Sequence, residues 1–446
     1  MQQFPFTNIH THVFNSACAP DRFLRVIPSS FVRKHSEKIK NSLDSKISYK
    51  LLNGFGKILS KKNSVKRGMF EKMISFLDIG TEREQGDILE IAMQSLNQHH
   101  SKTDNCPPRL VALSLDMDYM DSVPSTHMKS FQTQLEELRN LKRYYPDQLF
   151  LFLGIDPRNK KGNQLLQWAR KYFETGIEKD GIVYPYFCGI KLYPALGFFP
   201  FDPALDELYA YCEKNRIPVM THCTRVGSLY IGDSIEEYIP DEPEMISNEN
   251  SIPTEIAKKE IIERIKRYKN AGWIKNNTKG ENDLACDLFC HPQNYIPLLE
   301  KYPRLKICLA HLGGSNEILN AEIEKTAGTD LSQIRKTDGY NWFESIKTYM
   351  INYPQLYSDI SYTLSSFDEK KVLQKVVELL ETNDKNGNSL GNRILFGTDF
   401  FMTEQEKKES ELFEIARRQL HAYFDKMSTE NNQRFLCQPL AVHPSI

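Results

Sequence analysis

Leu149-Phe150-Leu151-Phe152-Leu153-Gly154-Ile155 places seven residues in a row without a polar side chain. A strand with one wet face alternates apolar and polar positions. A run apolar on both faces points instead to a strand covered on both sides, as in a parallel sheet. Seven further short apolar runs accompany it: Phe4–His10, Leu110–Met117, Phe187–Tyr193, Ile217–Cys223, Leu305–Leu312, Leu356–Ser361 and Ile394–Phe400. Apolar residues at helical spacing lie between several of them, at Ser130–Tyr145, Gln164–Glu174, Pro203–Lys214 and Glu369–Glu381. Eight strands alternating with helices predict an α/β fold closed as a (β/α)8 TIM barrel, with an open doubly wound sheet as runner-up.

Residues 1–446 read as a single barrel domain with two insertions. The first, at about 14–108, is far longer than a crossover needs. It reads as helical and is expected to cap the barrel mouth. Its Arg33–Arg67 portion is rich in Lys and Arg, which suits a solvated helical face, or attraction of an anionic substrate or surface. The second, at about 225–285 after the fifth strand, opens on the acidic stretch Asp233–Glu244 and continues as the charged helical segment Thr254–Asn270.

Composition narrows the function. Hydrophobic residues at 40% and charged residues at 26% suit a large globular core, and a formal net charge of -1 argues against a nucleic-acid partner. No run of ~18 apolar residues predicts a membrane span. The opening Met1-Gln2-Gln3-Phe4-Pro5-Phe6 lacks the basic and apolar regions of a secretory leader. Nine cysteines without paired spacing predict free thiols and a reducing, cytoplasmic setting. Cys286, Cys290 and His291 match no closed zinc pattern and read as packing. The expected partner is a small-molecule substrate, and a homo-oligomer stands open beside a monomer.

The chemistry-bearing residues fall at strand ends. His10 and His12 stand two apart on the first strand, where alternation gives both one face. His222 closes the fifth strand, His311 the sixth and Asp399 the eighth, while Lys191 sits within the fourth. A lone buried histidine is commonly a hydrogen-bonded core residue, and an Asp after a strand commonly caps a helix. Lys191 resists a bland account, because burying an ammonium is costly without a partner. The coincidence carries the argument: of eleven histidines, four lie at these strand ends, and a barrel gathers all of them at one mouth. Several imidazoles and a carboxylate around one point match a divalent metal site.

These residues resemble the amidohydrolase superfamily, in its amidohydrolase-2 branch of barrel-type hydrolases and decarboxylases. The matching pieces are Asn8-Ile9-His10-Thr11-His12, Gly189-Ile190-Lys191-Leu192-Tyr193-Pro194, Pro218-Val219-Met220-Thr221-His222, Leu309-Ala310-His311-Leu312-Gly313-Gly314, Tyr357-Ser358-Asp359-Ile360-Ser361 and Leu395-Phe396-Gly397-Thr398-Asp399. The resemblance implies His10, His12 and His222 as metal ligands. It implies Asp399 as ligand, proton acceptor or both, and His311 as second-metal ligand or catalytic acid/base. Lys191 would be a carbamylated bridge between two metals or a substrate contact. Asn8 departs from the pattern, where many members carry Asp.

One or two divalent ions, zinc foremost, would activate water on a C–N or C–O bond, with Asp399 accepting the proton. Arg225 would bind a substrate carboxylate or form a surface salt bridge. Asp359 would orient a ligating histidine or cap the following loop. A decarboxylase acting on an aromatic or unsaturated acid is the alternative, and a catalytically inactive metal-binding protein the second.

Overall fold

The computed structural model describes residues 4–20, 79–80, 84–99, 106–121, 129–160, 163–248 (save 180, 226, 229, 233–234 and 236–237), 251–270, 281–321 and 341–436. Eight parallel strands form one sheet in chain order: β1 (Thr7–Thr11), β2 (Arg109–Leu113), β3 (Leu149–Ile155), β4 (Phe187–Leu192), β5 (Val219–Thr221), β6 (Ile307–Leu309), β7 (Leu356–Asp359) and β8 (Ile394–Leu395). The first and last strands then meet. Ile9 N donates to Phe396 O at 3.1 Å, Asp399 N donates to His10 O at 2.8 Å, and Thr11 bridges Phe400 in parallel. The sheet is therefore a closed barrel. The open alternative is excluded, because β1 and β8 are partners rather than edges.

The double-sided burial read from the sequence has a simple origin. Met220, Cys308, Tyr357 and Leu395 pack with Val111, Leu113 and Phe152 inside the barrel, with Phe435 and Leu436 from the C-terminal helix among them. The alternate residues, such as Val219, Ile307, Leu309 and Ile394, pack outward against the helices. Gly189 lets β4 carry this filling: a Cβ there would lie 2.4 Å from the Phe152 ring.

The helical ring includes α1 (Gln85–His99), α2 (Phe131–Tyr144), α3 (Gln164–Phe173), α4 (Asp206–Asn215), α5 (Ile252–Asn270), α6 (Trp342–Asn352), α7 (Lys370–Glu381) and α8 (Glu409–Leu420). Ser130 starts α2 by accepting from Thr133 N at 3.2 Å. α1 lies within the span expected to be a cap, yet it belongs to the outer ring. Its His99 ring stacks on Phe413 of α8 at 5.0 Å, and Gln85 donates to Gln134 O of α2 at 3.4 Å. Ile88, Leu89, Ala92 and Leu96 are its buried face. The basic stretch Arg33–Arg67, with much of the span expected to be a cap, lies outside the described residues. In the second insertion, α5 buries Arg264, which donates to Gln293 at 3.1 Å and Asn294 at 2.6 Å. An antiparallel ribbon, Gly176–Lys179 with Ile182–Pro185, precedes β4 and was not expected. No described helix is long and apolar enough to cross a membrane.

Candidate metal centre

β1 does not alternate regularly where it matters. Its register to β2 slips between Asn8 and Thr11. Ile9 packs among the interior side chains, and His10 also faces inward, toward Lys191 and Asp399. His10 and His12 thus converge as expected, through a local irregularity of the kind that re-aims side chains beside active sites. Gly397 admits the approach of β8, since a Cβ there would lie 2.6 Å from His10 Cβ.

The hydrogen bonds at the backs of the two rings set their tautomers. His10 Nδ1 faces Asp359 Oδ2 at 2.9 Å, and His12 Nδ1 faces the Leu113 carbonyl at 3.1 Å. Both acceptors require Nδ1–H, so each ring keeps its Nε2 lone pair for the front. The two Nε2 atoms lie 3.4 and 3.3 Å from the same oxygen, Asp399 Oδ1. That oxygen is buried and accepts no hydrogen bond. Three acceptors face one another, with Lys191 Nζ the neighbouring donor, 3.3 Å from His10 Nε2. A cation resolves such a cluster, so the residues present fit a divalent ion. His10, His12 and Asp399 form one group able to hold an ion, and His10, His311 and Asp359 form another.

Asp359 contacts both a histidine ring and the loop that follows β7. Besides His10, it accepts the backbone N–H of His311 at 2.9 Å and of Ser361 at 3.0 Å. Ser361 Oγ lies 3.0 Å from His10 Nδ1 and 2.9 Å from His311 Nδ1, and it donates to Asp359. His311 and Asp399 both hold left-handed backbone, with φ of 71° and 65°. Such conformations cost ~1–3 kcal/mol each and persist where surrounding contacts over-determine them.

Electrostatics disfavour protonation of His10 and His311. Burial, with Lys191 beside it, pushes His10 down to about 3. Burial likewise lowers His311 and Lys191, the latter against the pull of Asp399 and Asp359. Burial alone would raise the Asp399 and Asp359 carboxyls, but the surrounding imidazoles hold both well below the usual carboxylate range. Lys191 Nζ lies 3.3 Å from His10 Nε2 and is 1% exposed.

Two expected residues stand differently. His222 belongs to neither ion-holding group among the described residues. Its Nδ1 faces His311 Nε2 at 3.2 Å, and its ring packs on Tyr193 at 4.8 Å. The Arg225 guanidinium engages Glu317 at 2.8 Å and Asp287 at 3.3 Å, and lies 4.7 Å from the Trp342 ring centre. The alternative expected was a surface salt bridge; the ion pairs here are instead largely buried. Cys286 and Cys290 are buried free thiols outside both groups.

Sequence reading missed Ser361, Thr398 and Glu409. Ser361 lies inside a motif already in hand, and its spacing of two from Asp359 was the available signal. Glu409 gave none, because it sits in the charged run Lys407-Lys408-Glu409-Ser410-Glu411. Burial pushes its carboxyl up to about 8.

A family model described as Amidohydrolase matches residues 165–437, more than half of the chain, including Lys191, His222, His311, Asp359 and Asp399. No curated protein matches the chain in sequence. Similar solved structures include a putative amidohydrolase from Staphylococcus aureus, 13% identical, covering 79% of this chain and 92% of that one at a TM-score of 0.42. A 5-carboxyvanillate decarboxylase from Novosphingobium aromaticivorans with bound manganese is 12% identical, covering 98% and 97% at 0.43. A 4-oxalomesaconate hydratase from Rhodopseudomonas palustris is 12% identical, covering 97% and 95% at 0.41.

Proposed function

The chain belongs to the amidohydrolase family, and on that premise we propose that it is a divalent-metal-dependent hydrolase acting on a C–N or C–O bond of a small molecule. The observation that carries the reading is the convergence of two Nε2 lone pairs on an undonated oxygen of Asp399. His10, His12 and Asp399 would hold the ion, zinc foremost given two imidazoles and a carboxylate. Lys191 would add a donor as its carbamate, or contact substrate. When bound, such an ion lowers the pKa of a coordinated water to roughly 7 and polarises the scissile bond.

The chain's own residues do the remainder. Asp359 and the Leu113 carbonyl fix the two imidazoles in the ligating tautomer. Asp399 accepts the proton of the attacking water and returns it to the leaving group. His311 donates from Nδ1 to the Ser361 carbonyl at 3.0 Å and keeps Nε2 toward His222, so this pair can hold or pass a proton at the mouth.

The test is elemental analysis of the wild-type protein and of the His10→Ala/His12→Ala double variant, followed by a panel of amides, lactones and esters. Near-stoichiometric metal lost in the variant, with hydrolysis that requires it, supports the reading. Metal unchanged in the variant overturns the ligand assignment. Carbon dioxide released from an aromatic or unsaturated acid, with no hydrolysis, replaces the hydrolase with a lyase. Metal bound without turnover on either panel favours a binding protein.

A further inference from the structure

Glu409 opens α8, 5% exposed, behind the seam where β1 and β8 close the barrel. Its Oε1 accepts from Thr398 Oγ1 at 2.8 Å and from Asn8 Nδ2 at 3.1 Å. Asn8 Nδ2 also donates to Thr398 Oγ1 at 2.8 Å, and Asn8 Oδ1 accepts from Thr398 N at 3.2 Å and His10 N at 3.4 Å. Asn8 stands two residues before His10, and Thr398 one before Asp399. The three side chains therefore lock together the two strands that deliver the facing ligand atoms.

Glu409 is an expensive residue for that place. Its Oε2 is buried and meets no donor, and among the described residues no cation pairs with it. A buried carboxylate without a counter-ion is costly: burial pushes this carboxyl up to about 8, largely protonated at neutral pH, and a nearby cation favours its charged form. A neutral amide could accept from Thr398 and Asn8 as well, so the hydrogen bonds alone do not account for the acid.

We propose that Glu409 is a positioning residue of the ion site, holding His10 and Asp399 in register through Asn8 and Thr398 and placing a second anion behind the bound cation. The inference rests on the metal-dependent reading above. Its energetic content is that of other outer partners of metal ligands, whose loss weakens ion affinity ~10–100-fold.

The test uses zinc alone and cobalt alone on the full chain, with affinity read by competition against a chromophoric chelator and geometry by the visible spectrum of the cobalt-loaded protein. Glu409→Gln is expected to fold, to bind zinc ~10–100-fold more weakly, and to shift the cobalt bands. If Glu409→Gln fails to fold, Thr398→Val and Thr398→Ser serve instead. Weakened zinc binding in the valine variant, with wild-type affinity in the serine variant that restores the hydroxyl, supports the proposal. Equal affinity and spectra in Glu409→Gln and wild type, or in both Thr398 variants and wild type, overturn it alone. A wild-type protein that takes up no ion overturns the metal-dependent reading itself, and this inference with it.

Discussion

Gly397→Ala perturbs the seam by one methyl group. The added Cβ would stand 2.6 Å from His10 Cβ and 3.0 Å from His10 N. Carbon atoms in contact settle at ~3.5–4.0 Å, so the strands must part by about 1 Å at the point where they deliver ligands. Overpacking of that kind costs ~1–3 kcal/mol. The larger effect falls on the ion, because the His10 and Asp399 ligand atoms are already 3.4 Å apart and would move with their strands. Zinc affinity should fall by at least ~10-fold, the lower end for disturbed ligand support. The assay pairs guanidinium unfolding of the metal-free protein with chelator-competed zinc titration. Gly86→Ala in α1 is the control, since its Cβ would first meet Leu141 Cδ2 at an ordinary 3.4 Å. It should be neutral, or stabilising by up to ~1 kcal/mol. A Gly397→Ala protein with wild-type zinc affinity and an unchanged unfolding midpoint refutes the claim that close approach of the two strands builds the site.

Asp359→Asn removes the carboxylate that holds His10 Nδ1–H and should weaken zinc binding ~10–100-fold, as chelator competition would read. Arg225→Ala leaves the buried Asp287 and the half-buried Glu317 without their shared guanidinium; it should cost about 3 kcal/mol in unfolding and leave KM nearly unchanged. A raised KM at intact stability would return Arg225 to the substrate. His10 is depressed in the folded state to about 3 from 6.5. Its contribution is therefore present above 6.5 and drains away as pH falls toward 3. That gap corresponds to roughly 5 kcal/mol, read as the acid limb of metal-free stability, and His10→Ala should flatten that limb.

The barrel was legible because its strands are apolar on both faces, and β3 kept the boundaries read for it. Other boundaries shrank: Ile217–Cys223 became Val219–Thr221, and Ile394–Phe400 became Ile394–Leu395. Apolarity persists past the last ladder bond, so it overstates strand length. The ribbon at Gly176–Pro185 escaped notice because its strands are only four residues each and the first mixes charged with apolar residues. At the site, strand-end position is what places His10, His12 and Asp399 near one another. It could not assign Asp359 its simultaneous bonds, because those depend on the turn after β7. Nor could it separate α1 from a cap, since outer-ring helices and caps share one amphipathic signature.

The seam has a consequence in time. His10 and Asp399 are partners across the barrel closure, yet ~390 positions of synthesis separate them. At ~5–20 residues per second a ribosome spends roughly 20–80 s between the two. Over that interval the paired imidazoles of β1 exist without the carboxylate opposite them. Under the proposed ligand assignment, ion capture would be a late event in biogenesis, gated by the arrival of β8, and a chain stalled before that strand would carry half a chelate.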